Sequence, residues 1–259
     1  MKTASLLRKL AKFYPQKIRD SYDYGGLMAG RYKEETNRIY LALDFDKTLF
    51  KDVLAFKPDL IITHHPFFFG KPKEIMERNE ERRECYDFLI KNDIPLASYH
   101  TNFDRGEEGM NDALARELGL KEIKRLEGDD MARGGKLSSP MGVNEFAKYV
   151  LNKLDVPHGL LINEGNKIIK TAAIIGGGGW RSYAIAKAEG YDIFISGDCP
   201  HHARREIILS NYNYLDIPHE VEGIFIKQMT NMLLKIDQSL VIGGYKHEIV
   251  PQMLLRDSK

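Results

Sequence analysis

Residues 60–66, with the sequence LIITHHP, constrain the fold of this chain more than any other stretch. An apolar, mostly β-branched run of this length is typical of a buried strand, and the proline would end it. His64 and His65 are therefore expected at the carboxyl end of a strand, where open α/β sheets bind ligands. Neighbouring strand residues point to opposite faces, so one metal ion could bind both imidazoles only if the strand bends. Two ions side by side would relax that requirement.

Other predicted strands end in similar polar residues. The strand at 39–43 is followed by Asp44, and the strand at 95–99 is followed by His100 and Asp104. Helical patterns alternate with these strands, which predicts parallel βαβ units whose carboxyl ends meet at one edge. The histidines are therefore expected to converge.

Six of the eight histidines lie in such clusters, each with a carboxylate nearby: His64, His65, His100, His201, His202 and His219. A set of imidazoles and carboxylates suits Zn, Fe, Mn or Ni and contains too much nitrogen for Ca or Mg. Each cluster taken alone also has a structural explanation. Their recurrence at the ends of elements favours a metal site.

Two acidic residues compete as partners of the last histidine. His219 and Glu222 would share a face of a helix, since they are three residues apart, whereas Glu220 would not. Glu220 is explained equally well as a first-turn acid that complements the helix dipole. The pattern favours Glu222 and leaves Glu220 open.

The alternation of elements predicts an α/β fold of two units. A polar segment rich in Gly and Ser, at 127–140, indicates a junction. We expect residues 1–127 and 216–259, which contain the C-terminal helix, to form a metal-binding α/β domain. Residues 128–215 would be a second, inserted α/β domain.

Composition limits the classes of function. With 38 basic and 37 acidic residues the net charge is +1, which gives no support for bulk binding of nucleic acid. The two cysteines form no C-x-x-C motif and no secreted framework, so a cytoplasmic location is expected. No apolar stretch approaches the roughly 18–20 residues that cross a bilayer, and the basic N-terminus is followed by too short an apolar run for a signal peptide.

Two further motifs suggest binding of phosphate. The glycine run that contains Gly177, Gly178 and Gly179 joins a strand to a helix, so its backbone N–H groups could hold an anion. A tight turn that needs positive φ explains the run equally well.

Residues 44–48, DFDKT, resemble the D-x-D-x-T signature of haloacid-dehalogenase-type phosphatases, in which Asp44 would be a nucleophile. That alternative leaves the clustered histidines unexplained.

Taken together, the motifs resemble the Nif-three-like dinuclear metal-centre proteins, often labelled GTP cyclohydrolase I type 2 homologues. Residues 60–66 match the family's D-L-I-I-x-H-H-P, the most specific piece, and 100–104 match its H-T-x-x-D. Residues 23–27 resemble its W-D-N-x-G-L entry, and 174–179, 192–202 and 219–222 resemble its glycine turn, its T-G-E/D…H stretch and its closing G-H…E. The chain departs from the pattern at Tyr22 for Trp, at Pro218 for Gly, and in the shorter spacing from His219 to the last Glu.

The resemblance implies two divalent metal ions per chain, held by His64, His65, Asp104, His219 and Glu222, with Asp104 as the bridge. It also implies a homohexameric ring whose metal sites face an inner cavity. The function we expect is metal-dependent hydrolysis of a nucleotide or another phosphorylated small molecule, as in a cyclohydrolase. His100, either by supporting a metal ligand or as a general base, and His201 or His202 would assist proton transfer. The alternative is a non-catalytic metal scaffold or carrier.

Overall fold

The computed structural model describes residues 1–245 and 250–254 and has an α/β fold with two sheets. One unit comprises Met1–Met110 with residues 223–245, and the other comprises Asn111–Glu222, with which residues 250–254 are grouped. The predicted α/β class is confirmed, and the C-terminal helix belongs to the N-terminal unit. The second unit begins before the predicted residue 128, because the strand at Lys121–Arg125 pairs within its sheet. Residues 246–249 and 255–259, part of the predicted 216–259 segment, lie outside the described residues.

The helices and strands are bounded as follows in the described chain. The α-helices are α1 (Thr3–Phe13), α2 (Phe50–Phe56), α3 (Pro72–Arg78), α4 (Glu80–Lys91), α5 (Thr101–Arg105), α6 (Met110–Glu117), α7 (Val143–Lys153), α8 (Tyr183–Ala188), α9 (His201–Leu209) and α10 (Ile224–Ile236). The strands are β1 (Gly26–Ala29), β2 (Arg38–Ala42), β3 (Leu60–Thr63), β4 (Leu96–Ser98), β5 (Lys121–Arg125), β6 (Arg133–Gly142), β7 (Leu160–Asn163), β8 (Ile168–Ile174), β9 (Ile193–Ser196), β10 (Asn213–Asp216) and β11 (Val241–Gly244). Short 3₁₀ helices lie at Gln16–Ile18, Lys47–Leu49, Trp180–Ser182 and His219–Gly223.

The sheet of the first unit has the order β1-β4-β3-β2-β11, and all neighbours are parallel except β1 and β4. Thr63 pairs with Ala42 on one side and with Ser98 on the other, so three strands end at the same level. The polar residues that follow β2, β3 and β4 are therefore neighbours. All four residues of β3 are buried, as its apolar sequence predicts.

The second unit repeats this arrangement in a sheet of order β5-β6-β8-β9-β10-β7. Its central strands β8, β9 and β10 are parallel and level, since Ile174 pairs with Ile195 and Ser196 pairs with Asp216. The outer strands are antiparallel. The glycine run and the segments that start at Gly197 and Ile217 therefore leave the same edge of this sheet.

Each unit has an apolar core against its sheet. Phe45, Phe67 and Phe68 pack in the core of the first unit, and Phe194 and Tyr214 pack in that of the second. Both cysteines are free and buried. Within the described residues, no helix combines the length and the apolar character needed to cross a bilayer.

Candidate metal centre

The chain bends directly after β3, as the adjacent histidines require. The N–H groups of His64 and His65 still donate to the carbonyls of Ala42 and Leu43, at 3.1 and 2.9 Å. The hydroxyl of Thr63 donates to the carbonyl of His65 at 2.9 Å, which closes a tight turn. The two imidazole centroids are consequently only 5.1 Å apart.

His100, which follows β4, joins this pair. Its ring centroid lies 5.2 Å from that of His64 and 5.8 Å from that of His65. One nitrogen from each of the three rings lies within 4.8 Å of the others, so the three could hold a metal ion. Oδ1 of Asp104, in α5, lies 3.5 Å from Nε2 of His64. The first unit thus brings His64, His65, His100 and Asp104 together, as the strand order predicts.

The orientation of the first two imidazoles is set through Nδ1. Nδ1 of His64 lies 2.9 Å from the carbonyl oxygen of Tyr99, and Nδ1 of His65 lies 2.7 Å from Oδ2 of Asp44. A carbonyl only accepts, so Nδ1 of His64 carries the proton and Nε2 of the neutral ring keeps its lone pair. Burial would raise the pKa of Asp44, but the hydrogen bond from His65 lowers it below its usual range. Metal-bound histidines commonly have such partners.

His100 has a buried partner of the same kind. Oδ1 of Asp23 lies 2.8 Å from Nδ1 of His100, and Oδ2 accepts from the backbone N–H and the hydroxyl of Thr101. Burial would raise the pKa of Asp23, but these hydrogen bonds lower it, so the carboxyl is ionised. In the sequence, Asp23 stands out only as part of a family motif. Its contact with His100 could not be predicted from local pattern, because 77 residues separate the two side chains.

In the second unit, His219 lies between two carboxylates. Its Nδ1 is 2.6 Å from Oδ2 of Asp198, and its Nε2 is 3.0 Å from Oε2 of Glu222. His219 and Glu222 are aligned because they lie three residues apart in a 3₁₀ helix, where such residues eclipse. Of the two glutamates considered as partners of His219, Glu222 is the one in contact with its imidazole, while Glu220 is half-buried.

The carboxylates around His219 favour positive charge at its imidazole. The hydrogen bond to Glu222 is the main cause that raises the pKa of His219 to about 9; burial opposes it and Asp198 supports it. Two carboxylates therefore favour positive charge at the imidazole, which a proton or a bound metal ion would supply.

The glycine run passes close to this pair. Gly177 has φ +62°, and a Cβ there would lie 2.2 Å from Oε1 of Glu222 and 3.1 Å from Cε1 of His219. The N–H of Gly179 donates to the hydroxyl of Ser196 at 2.8 Å. The glycine run therefore forms a tight turn with positive φ, one of the two predicted explanations. The phosphate contact predicted for Gly177, Gly178 and Gly179 stays a prediction.

His201 and His202 begin α9 and are exposed. The ring of His202 contacts Trp180 edge-on, with centroids 5.4 Å apart, and the guanidinium of Arg181 lies 4.5 Å from the same indole. Their predicted part in proton transfer stays a prediction.

The residues of the D-x-D-x-T motif have structural partners. Asp44 orients His65, while Asp46 caps the 3₁₀ helix at Lys47–Leu49 by accepting from the N–H of Thr48 at 2.7 Å. These contacts explain both aspartates without a phosphatase site.

The chemistry of the donors fits a transition metal or zinc. His64 in the first unit and His219 in the second each place Nε2 beside a carboxylate, and Nδ1 of each is held by an oxygen acceptor. That the five predicted ligands from both units share one pair of ions stays a prediction.

Comparison with known proteins points to one family. The model of Duf34/NIF3 (NGG1p interacting factor 3) matches residues 1–245. A GTP cyclohydrolase 1 type 2 homolog from Clostridium perfringens is 32% identical over 225 residues, which are 85% of this chain and 86% of the relative. Another from Streptococcus pneumoniae is 28% identical over 258 residues, or 97% and 96% of the two chains.

Solved structures share the fold at low identity. A Bacillus cereus protein related to NIF3 has a TM-score of 0.89 at 18% identity, covering 98% of this chain and 99% of that one. Reduced HcgD from Methanocaldococcus jannaschii has a TM-score of 0.78 at 24% identity, covering 94% and 97%. At these identities the likeness concerns the fold alone.

Proposed function

Because the chain belongs to the Duf34/NIF3 family and positions imidazole and carboxylate groups at the strand ends of both units, we propose that it is a metal-dependent hydrolase. The proposed ligands of two divalent ions are His64, His65, Asp104, His219 and Glu222. Zn, Fe, Mn and Ni all fit this donor set. The curated relatives are named homologs of GTP cyclohydrolase 1 type 2, which supports a nucleotide or another phosphorylated small molecule as substrate.

One observation carries the proposal. Four histidines, His64, His65, His100 and His219, each have Nδ1 within 2.6–2.9 Å of an oxygen acceptor. A histidine that only packs in a core needs no such repeated arrangement, whereas a metal ligand needs a fixed tautomer and ring orientation. The carboxylates of Asp104 and Glu222 lie beside two of the Nε2 atoms, which adds the negative charge that a cation requires.

When bound, a pair of divalent ions lowers the pKa of water and stabilises developing negative charge. The residues around it would move protons and hold the substrate. His100, whose Nδ1 is held by Asp23, would accept or deliver a proton, with His201 or His202 assisting. The glycine turn would hold a phosphate through backbone N–H groups.

The test combines metal analysis with a panel of nucleotides and phosphoesters, using untagged protein. We expect two equivalents of metal per chain and metal-dependent turnover of at least one substrate. His64→Ala and His219→Ala should each lose metal and activity. His158→Ala, a histidine outside these clusters, is the matched control and should change neither.

Two results would contradict the proposal. Equal activity in His64→Ala and the unmodified protein would show that the histidines are not needed. Metal that is released readily to a chelator, with no turnover of any substrate, would favour a carrier instead.

We also propose that the chain assembles as a homohexamer, which the sequence resemblance implies. Six copies of the 29.7 kDa chain would have a mass of about 178 kDa in light scattering. A monomer or dimer at micromolar concentration would contradict this assembly.

A further inference from the structure

A pocket of about 340 Å³ lies wholly within the first unit, close to His100. It is formed by residues between Arg19 and Met28, which run into β1, and by residues between Phe68 and Pro72, which lead from β3 to the first residue of α3. Tyr24, Leu27, Met28 and Phe68 supply an apolar lining. Its volume is within the range of small-molecule sites, about 300–1,000 Å³.

On each side of the pocket, a residue next to a lining residue contacts His100. On one side, Tyr24 directly follows Asp23, which holds Nδ1 of His100. On the other, Phe69 follows Phe68 in the pocket wall, and its ring stands edge-on to His100 with centroids 5.6 Å apart. The walls of the pocket therefore continue directly into the two residues that contact His100.

Much of the apolar side-chain surface at the pocket is exposed to solvent. The exposed fractions are 42% for Tyr24, 41% for Leu27 and 55% for the neighbouring Phe69, whereas Phe68 beneath them is 2% exposed. Rings and aliphatic groups on a rigid buried base offer a flat surface on which a planar ring can stack.

The charged side chains that line the pocket are basic. Arg19 and Lys71 line the pocket, and among its described lining residues none is acidic. Lys71 pairs with Glu74 at 3.0 Å, but this ion pair is on the surface, with 81% of the lysine side chain exposed, so it would give way at little cost. The rim therefore favours an anion next to the apolar surface.

We propose that this pocket binds a planar heteroaromatic ring that carries an anionic group, the chemistry of a nucleoside monophosphate. The ring stacks on Tyr24 and the apolar lining, and the anionic group is held by Arg19 and Lys71. The inference deepens the proposed function, since it assigns the substrate's aromatic part to a pocket whose walls continue into residues that contact His100. Binding to the pocket does not itself depend on bound metal.

Calorimetry with the full chain tests the proposal. The probes are GMP, its uncharged nucleoside guanosine, and ribose 5-phosphate, which has the charge without the ring. We expect GMP to bind more tightly than either of the other two. Tyr24→Ala should weaken GMP binding about tenfold, Tyr24→Phe should retain it, and Lys71→Ala should weaken it about threefold with a smaller dependence on salt.

Matched controls lie beside both residues. Tyr22→Ala removes a tyrosine that is 68% exposed and outside the pocket, and Lys73→Ala removes a nearby exposed lysine; neither should change GMP binding. Failure of GMP to bind at millimolar concentration, equal binding of ribose 5-phosphate, or unchanged binding in Tyr24→Ala would each overturn the proposal. His64→Ala separates the two proposals, because it should lose metal and still bind GMP.

Discussion

Nδ1 of His100 lies 2.8 Å from Oδ1 of Asp23, a carboxylate that is only 4% exposed. Because both Asp23 oxygens are also held by local donors, the imidazole has a fixed orientation. Asp23→Asn should lower turnover about 10- to 100-fold, the usual effect of losing such a partner. Metal content should stay at the unmodified level, since we assign proton transfer to His100.

Asp20→Asn is the control for this prediction. Asp20 lies in the same segment, but its carboxylate accepts from Arg105 at 2.8 Å rather than from an imidazole. Its removal should leave turnover nearly unchanged. Loss of metal in Asp23→Asn would instead identify His100 as a ligand, and unchanged turnover would remove Asp23 from the site.

The two aspartates of the 44–48 segment should behave differently. Asp44 holds Nδ1 of His65, while Asp46 caps a 3₁₀ helix. Asp44→Asn should reduce metal affinity about 10- to 100-fold, measured by competition with a chromogenic chelator. Asp46→Ala should cost about 1 kcal/mol of stability, the typical effect of replacing a capping residue by alanine, and leave metal affinity unchanged. A magnesium-dependent phosphatase activity that Asp44→Asn abolishes and His64→Ala spares would reverse this assignment.

The glycine run allows a test of close packing. Gly177→Ala would place a methyl group 2.2 Å from the carboxylate of Glu222 and would force a side chain into positive φ. We expect about 1–3 kcal/mol of destabilisation from the backbone alone, together with loss of metal. Gly178→Ala is the neighbouring control, because its Cβ would come no closer than 3.5 Å, to Asp198. Equal metal content in the two variants would contradict the role assigned to Gly177.

The buried parallel strands could be predicted from the sequence because their apolar runs report burial on both faces. The strand predicted within residues 60–66 coincides with β3, and the strand predicted at 39–43 overlaps β2. These elements are continuous in pattern and end at clear signals, so local sequence was sufficient.

The strands that were missed are outer or antiparallel ones. β6 covers much of the segment at 127–140 that is interpreted as a junction, and β1 lies outside every strand that the sequence predicts. The residues of β5 are mostly exposed and those of β6 include Gly134 and Gly135, so neither shows the alternation of a half-buried strand. Pairing with β8 holds β6 in place, and the paired residues lie between 26 positions (Gly142 and Ile168) and 41 positions (Arg133 and Ile174) apart in the sequence.

The sequence predicted which side chains of the candidate site come together. It did not predict the oxygen atoms that orient their imidazole rings. The convergence of His64, His65, His100 and Asp104 follows from strand order, because parallel strands end at one edge. The oxygen atoms that orient the imidazoles come from residues 21 to 77 positions away in the sequence, so no local pattern predicts these contacts.

Asp192, far in sequence from the predicted ligands, connects stability to pH. Its Oδ2 accepts from the N–H groups of Lys170 and Thr171 at 2.8 and 3.0 Å, and Oδ1 accepts from Asn166 at 2.7 Å. Burial would raise the pKa of this carboxyl, but the hydrogen bonds lower it below 3.8. The folded state therefore binds this proton more weakly than the unfolded state does. The resulting stability is present above pH 3.8 and is lost as the pH falls through the lowered pKa.

Asp192→Asn should therefore destabilise the second unit at pH 7 by about 1–3 kcal/mol, the cost of leaving hydrogen-bond partners poorly satisfied. The difference from the unmodified protein should shrink as the pH falls below 4, where the wild-type carboxyl also becomes neutral. Urea unfolding followed by fluorescence measures this directly, because Trp180, the chain's single tryptophan, lies in the same unit. A difference that is equally large at pH 7 and at pH 3 would show that the ionised carboxylate does not provide this stability.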